Sequence, residues 1–121
     1  MQQTSDRPGV GRTFRFDFTG EVDHDADTPL GERHDPLLTF AMTVLAANKQ
    51  ARLGGRLASF GRVEVAPGGR GTVASVVTAW LDVRAASAVA LDELVATIRT
   101  QAEQRAERDG TRVVVTPEAE W

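Results

Sequence analysis

The segment GEVDHDADTPLGERHDP, residues 20–36, carries most of the side chains with which this chain could do chemistry. His24 stands among Asp23, Asp25 and Asp27, and an imidazole there can exchange a proton near neutral pH. The alternating carboxylates could also collect a hard cation, but the glycine and distal glutamate of a calcium loop are missing. An acid/base centre and a solvated loop between a strand and a helix both fit this segment.

His24 is the candidate for acid/base catalysis, with Asp23 or Asp25 as the carboxylate beside it. His34, whose neighbouring carboxylate is Asp35, is assigned to the surface. The chain has no cysteine and two histidines, so the residues support neither a thiol nucleophile nor a self-contained zinc site. We therefore expect this chain alone to hold no metal and no cofactor.

A second group of candidates lies in TVASVVTAWLDVR, residues 72–84, where Trp80 and Arg84 share one face of a predicted strand. An RNA-recognition sheet would need more aromatic residues and a basic charge. An arginine fork instead matches the geometry of a small carboxylate. We expect Arg84, with Trp80 on the same face, to contact such a ligand.

Length and composition limit the classes of function. With 121 residues, of which 41% are hydrophobic, the chain suits one compact domain. A formal net charge of −3 offers no basic field to a nucleic acid or an anionic membrane, so neither is expected as a partner. No apolar run approaches the roughly 20 residues of a membrane span, and the polar N-terminal residues lack a signal-peptide core. These features predict a cytoplasmic protein.

The hydrophobic pattern predicts six elements, and their order indicates the fold. The elements are a strand at 12–20, a helix at 36–52, strands at 56–66 and 72–84, a helix between Ser87 and Gly110, and a strand at 111–116. This order predicts an α+β split βαβ sandwich, with a ferredoxin-like, four-stranded antiparallel sheet and two helices on one face. The domain is expected to cover 12–116, between a disordered segment at 1–11 and a tail at 117–121.

Three stretches, TGEVDHDADTPLGERHDP, FGRVEVAPGG and LDVR, together resemble a known family. It is the lid, or dimerisation, domain of zinc-dependent amidohydrolases that act on N-carbamoyl-amino acids and allantoate, relatives of the aminoacylase and carboxypeptidase metallopeptidases. The resemblance runs from about Arg12 to Thr116. Its strongest part is a set of residues in register: Gly20, Glu21, His24, Thr28, Pro29, Arg33, Asp35, Asp82 and Arg84.

In that family a separate catalytic domain holds the zinc ions, while the lid dimerises and offers side chains to the substrate, partly across the dimer. The resemblance implies that His24 stabilises a developing oxyanion and that Arg84 binds the substrate carboxylate. Two positions differ from the pattern. Gly71 stands where the family has a substrate-binding asparagine, and Asp25-Ala26 replaces the small Ala-Gly pair after the histidine.

Two hypotheses follow. In the first, the chain is a lid that forms a homodimer, contributes His24 and Arg84 to a small carboxylate or ureido ligand, and complements a separate zinc-binding catalytic chain. Alone it would not hydrolyse an amide by the family's mechanism, because it would activate no zinc-bound water. In the second, it is an independent biosynthetic enzyme of the isomerase, cyclase or condensing type, with His24 as its acid or base.

Overall fold

The computed structural model describes residues 9–22 and 25–121, and these residues form one four-stranded sheet with two α-helices. The elements are β1 (Val10–Thr19), α1 (Pro36–Leu53), β2 (Leu57–Ala66), β3 (Val76–Ala85), α2 (Ala88–Asp109) and β4 (Arg112–Glu120). The strands are all antiparallel, in the order β2-β3-β1-β4. The predicted α+β split βαβ fold is confirmed.

The two central strands set the faces of the sheet. Phe14, Phe16 and Phe18 of β1 are buried under the helices, as are the alternate residues Val77 to Ala85 of β3. The residues between them, among them Trp80 and Arg84, lie on the open face. Because successive side chains of a strand point to opposite sides, the alternation in the sequence predicts both faces correctly.

Helix α1 begins as predicted, and the side that it buries is made of small residues. The Asp35 carboxylate accepts a hydrogen bond from the Leu37 N–H at 2.9 Å, and Pro36 occupies the first turn. The buried residues after Pro36 are small ones: Thr39, Thr43, Ala47 and Ala51. Larger apolar residues of the same helix are exposed: Leu37, Leu38, Met42, Leu45 and Leu53. Small side chains allow α1 to pack closely on α2, and this packing leaves the larger ones outside.

Helix α2 has the caps that the sequence predicts. The Ser87 hydroxyl accepts from the Ala90 N–H, and Gly110 ends the helix in the left-handed conformation at φ 72°. Its buried stripe includes Leu91, Leu94 and Ile98. Neither described helix is long and apolar enough to cross a membrane.

The strand boundaries differ from the prediction at three places. β1 begins at Val10, within the segment predicted to be disordered, and residues 1–8 of that segment lie outside the described part of the chain. β3 begins at Val76 rather than at residue 72. β4 continues past Thr116 to Glu120, so the predicted tail is mostly strand. Trp121 then exchanges two backbone hydrogen bonds with Gly11, at 2.8 and 2.7 Å. Pairing with β1 extends β4 beyond its apolar residues.

A polar cluster joins the start of α1 to the end of α2. The Asp109 carboxylate accepts hydrogen bonds from the Thr39 hydroxyl at 2.7 Å and from the Arg105 guanidinium at 3.0 Å. Thr39 also shares a 2.8 Å hydrogen bond with the Thr111 hydroxyl. The Asp109 side chain is 9% exposed, so its charge depends on these partners for solvation.

We expect Asp109→Ala to lower the free energy of unfolding by about 2 to 4 kcal/mol, because it leaves a half-buried guanidinium and a buried hydroxyl without their acceptor. Urea unfolding at constant protein concentration measures this change. Glu103→Ala is the matched control, since Glu103 forms an exposed pair with Arg99 on the same helix and should cost less than about 1 kcal/mol. Equal losses in the two variants would show that the Asp109 cluster adds no special stability.

Candidate functional site

Among the described residues, the predicted site residues Asp25 and Gly71 lie at one end of the sheet and Arg84 lies near the other. Asp25 forms an isolated bridge with Thr72, and the Ala26 N–H donates to the Gly71 carbonyl at 3.3 Å. This pairing joins the loop after β1 to the turn before β3. Arg84 is near the far end of β3, about 26 Å from Val76 at the usual strand rise of 3.3 Å per residue. The structure therefore brings Asp25 and Gly71 together within one chain, and keeps Arg84 away from both.

Two of the predicted catalytic residues, Asp23 and His24, lie outside the described residues. Asp25 is described, and its carboxylate has a local structural role. Oδ1 accepts from the Asp27 N–H at 2.9 Å, and the Thr28 hydroxyl lies 3.5 Å from the same oxygen. This pattern is that of an Asx-turn, in which the side chain takes the place of a backbone acceptor.

Arg33 fixes the loop that follows His24, a role that the sequence analysis did not assign. Its Nε donates to the Thr28 carbonyl at 2.7 Å and a terminal nitrogen donates to the Ala26 carbonyl at 2.8 Å. Two carbonyls that would otherwise face solvent are thus tied to one planar group. The signal was present in the sequence, because Arg33 stands in the motif that carries the family resemblance.

His34 lies at the junction of the helices and is half exposed, as predicted for a surface residue. Its Nδ1 is 3.3 Å from the Glu21 carboxylate. Its ring also packs on Gly110, where an added Cβ would stand 2.7 Å from Cδ2 of the imidazole. These contacts connect His34 to the ends of β1 and α2 and leave it remote from Arg84.

Trp80 lies in the middle of the open face, and charged residues surround its ring. The Arg62 guanidinium stacks over the ring at 4.4 Å from the centroid, and the indole N–H donates to Glu118 at 3.2 Å. Glu118 and Asp17 in turn pair with Arg15. The open face therefore carries a connected layer of ion pairs and cation–π contacts rather than a bare aromatic surface.

Arg84 lines a pocket of about 370 Å³ on the same face, at the far end of β3. Asp82, Ser59 and Trp121 also line it. The Arg84 guanidinium carbon lies 4.6 Å from the centroid of the Trp121 ring. A cation, a carboxylate and an aromatic ring thus meet in one small concavity, which has the composition of a site for a small polar ligand.

Gly71, where the family has asparagine, has φ 73°, and an added Cβ would meet no atom within 4 Å. This left-handed conformation favours glycine, and asparagine is among the residues that tolerate it best. Among the described residues no group of three or more His, Asp or Glu side chains is arranged to hold a metal ion.

No protein-family model and no curated protein matches the sequence, but solved structures match the fold. The chain is similar to a hydantoinase/carbamoylase family amidase from Burkholderia ambifaria, with 22% identity over 94% of this chain and a TM-score of 0.89. AtUAH in complex with (S)-hydroxyglycine matches with 17% identity over 93% of this chain and a TM-score of 0.86. Aminobenzoyl-glutamate utilization protein from Klebsiella pneumoniae matches with 17% identity over 93% and a TM-score of 0.76.

These likenesses show the fold. The chain covers 28%, 27% and 28% of the three larger chains, respectively. It therefore has the fold of about a quarter of each of these larger proteins, and this fold agrees with the one that the sequence resemblance implies.

We expect Arg33→Lys to loosen the loop without unfolding the domain, because one ammonium group cannot reproduce the two-carbonyl geometry of the guanidinium. Amide hydrogen exchange at residues 25–28 should accelerate about tenfold, while exchange in β1 and β3 stays unchanged. Arg52→Lys, on α1, is the control and should alter neither region. Unchanged exchange at 25–28 in Arg33→Lys would remove Arg33 from its assigned role.

Proposed function

We propose that this protein is a dimerisation module of the amidase lid type, which pairs with a second copy of itself through α1 and the edge strand β2. The observation that carries the proposal is the exposure of large apolar side chains on one side of the domain. Leu37 and Leu45, two turns apart on the same side of α1, are exposed while the small residues of the helix are buried. Exposed apolar patches of this kind mark interaction surfaces.

The edge strand beside α1 supports the same conclusion. Val63 and Val65 pair with Ala79 and Val77, which are buried under the helices, so all four point to the helix side of the sheet. Yet Val63 and Val65 are 46% and 37% exposed, because α1 covers them incompletely. A ten-residue strand at the edge of a sheet also offers backbone groups to a further strand. A second copy would cover the exposed valines and pair with the backbone of the edge strand. A two-fold axis is the commonest symmetry by which identical chains pair.

Such a dimer explains how the separated site residues can act together. If β2 of each chain pairs antiparallel with β2 of the other, the end of one sheet that holds Asp25 and Gly71 lies beside the opposite end of the partner's sheet. That end holds the partner subunit's Arg84. Arg84 and the Asp25–Gly71 end are far apart within one chain. Between the two chains they are separated only by a few strands spaced about 4.8 Å apart.

The ligand that fits this composite site is a small carboxylate or ureido acid. Arg84 supplies a cation within a concave pocket, and the strand pattern places Trp80 on the same face. The resemblance assigns His24 to the oxyanion position and puts Gly71 where the family has an asparagine. By the family resemblance, hydrolysis requires a separate catalytic chain that holds zinc. The chain alone recognises and orients, and does not hydrolyse.

We expect light scattering to give twice the 13.0 kDa of one chain at micromolar concentration, and Val63→Glu to shift the protein to the monomer. A charge at that position would be buried without a partner in an interface of about 800 Å² per subunit. Val114→Glu is the matched control, since Val114 is an exposed valine on β4, the opposite edge of the sheet, and its variant should remain dimeric. A wild-type monomer, or loss of the dimer in both variants, would contradict pairing through β2.

We expect Arg84→Ala to weaken binding of N-carbamoylglycine at least about tenfold, because a charge-assisted arginine contact is lost. Isothermal titration calorimetry measures the affinity, and Arg99→Ala is the control that should bind normally, since Arg99 is exposed on α2. The monomeric Val63→Glu variant should also bind more weakly than the wild type, since the groups at the Asp25–Gly71 end of the site come from the second chain. Full affinity in Val63→Glu would confine the site to one chain.

A further inference from the structure

Several contacts hold the Trp121 side chain beside Arg84. Its ring rests on Gly11, where an added Cβ would stand 2.5 Å from Cε3 of the indole. Its N–H donates to the Thr13 hydroxyl at 3.0 Å, and its face covers the Arg84 guanidinium. Gly11 is the cross-strand partner of Arg84, so the missing side chain on β1 provides the space in which the ring lies. An aromatic ring over a strand glycine is a recognised packing device.

The stack fixes the plane of the guanidinium. An arginine that lies flat on an indole gains a cation–π contact through its face, while its N–H groups radiate from its edge. The edge is the part that binds a carboxylate in a fork. Trp121 therefore restrains Arg84 without competing for the geometry that a carboxylate needs, and it reduces the rotamer entropy lost on binding.

Asp82 is held next to Arg84 by the same set of contacts. Thr13, which accepts from Trp121, donates to Asp82 Oδ1 at 2.7 Å. The other oxygen, Oδ2, faces Gly61, which has no side chain. Gly61 lies at the bulge where the register of β2 shifts. An added Cβ at Gly61 would stand 3.9 Å from Oδ2. Glycine at this bulge thus keeps the outer side of Asp82 accessible from the pocket.

We propose that Asp82 and Trp121 make the Arg84 pocket selective for a small carboxylate that also carries an N–H donor. The proposal rests on the proposed role of Arg84 and adds two residues to it, a hydrogen-bond acceptor and a positioning ring. Arg84 and Asp82 are two residues apart on one strand face, about 7 Å between their Cα atoms. A ligand between them meets a cation at one end and an anion at the other.

The charges define the class of ligand. An amino acid or a ureido acid presents a carboxylate to Arg84 and N–H groups to Asp82, so both ends of the ligand are satisfied. A simple monocarboxylate offers no N–H group to Asp82 Oδ2, and a dicarboxylate brings a second negative charge towards it. Specificity of this kind comes from the penalty on the wrong ligand as much as from contacts with the right one.

The test compares three probes by isothermal titration calorimetry on the full chain: N-carbamoylglycine, propionate and succinate. The wild type should bind N-carbamoylglycine at least about tenfold more tightly than succinate, with propionate between them. Asp82→Asn should bring the affinities for N-carbamoylglycine and succinate within about threefold of each other. Trp121→Leu should weaken all three by about threefold to tenfold, and Trp121→Phe should recover part of the loss because a ring remains.

Tryptophan fluorescence gives a readout that does not depend on affinity. The chain has two tryptophans, so Trp80→Phe leaves Trp121 as the single emitter. Its emission should change when N-carbamoylglycine is added, and Gly11→Ala in the same background should shift the emission to the red by displacing the ring. Circular dichroism of each variant checks the fold, and Thr13→Val offers a milder perturbation of the same contacts.

The outcomes separate the two proposals. If the wild type binds none of the probes, the role of Arg84 fails and the selectivity fails with it. If the wild type binds and Arg84→Ala does not, but Asp82→Asn and Trp121→Leu keep the wild-type affinities and ratios, the role of Arg84 stands and the selectivity proposal is overturned. Loss of discrimination in Asp82→Asn, with weaker binding in Trp121→Leu, supports it.

Discussion

The close packing of α1 against α2 determines much of what this domain presents to its surroundings. Threonine and alanine residues line the buried side of α1, because larger side chains would hold the helices further apart. The consequence is that the larger apolar side chains of α1 must lie outside the core. The same helix packing thus stabilises the monomer and exposes apolar side chains that belong to the surface we propose for a second copy.

The length of the sheet imposes a second constraint. Ten-residue strands place the loop after β1 and the end of β3 on opposite sides of the molecule. A site that combines residues from both ends cannot form within one chain of this shape, whereas an antiparallel pairing of two chains brings the ends together. The proposed dimer and the proposed site therefore depend on each other, and the ion-paired open face is compatible with both, because its charges are satisfied without a covering layer.

The sequence predicts the parts of this structure that depend on local pattern. Alternation reveals the faces of β1 and β3, and Asp35-Pro36, Ser87 and Gly110 mark helix ends because caps and left-handed closures require particular residue types. The buried side of α1 is not predicted by such a pattern, since Thr39 and Thr43 are polar residues. Thr39 hydrogen-bonds Asp109 at the end of α2 and Thr111 after it, and Thr43 donates to the Thr39 carbonyl of its own helix. Local pattern does not predict the position of Trp121 either, because this position depends on pairing with Gly11, more than a hundred residues away.

The two departures from the amidase pattern have different physical meanings. Asp25 carries a charge where the family keeps a small residue, and its carboxylate closes a turn that helps to hold the loop, so this departure changes how the loop is built. Gly71 replaces asparagine in a left-handed conformation that accepts either residue and has open space around the missing Cβ. The backbone therefore keeps the geometry in which an asparagine could act, while the side-chain donor itself is gone. Recognition of a ligand must then depend more on groups that remain, and the Arg84 pocket, with its ring and its carboxylate, is where the structure concentrates them.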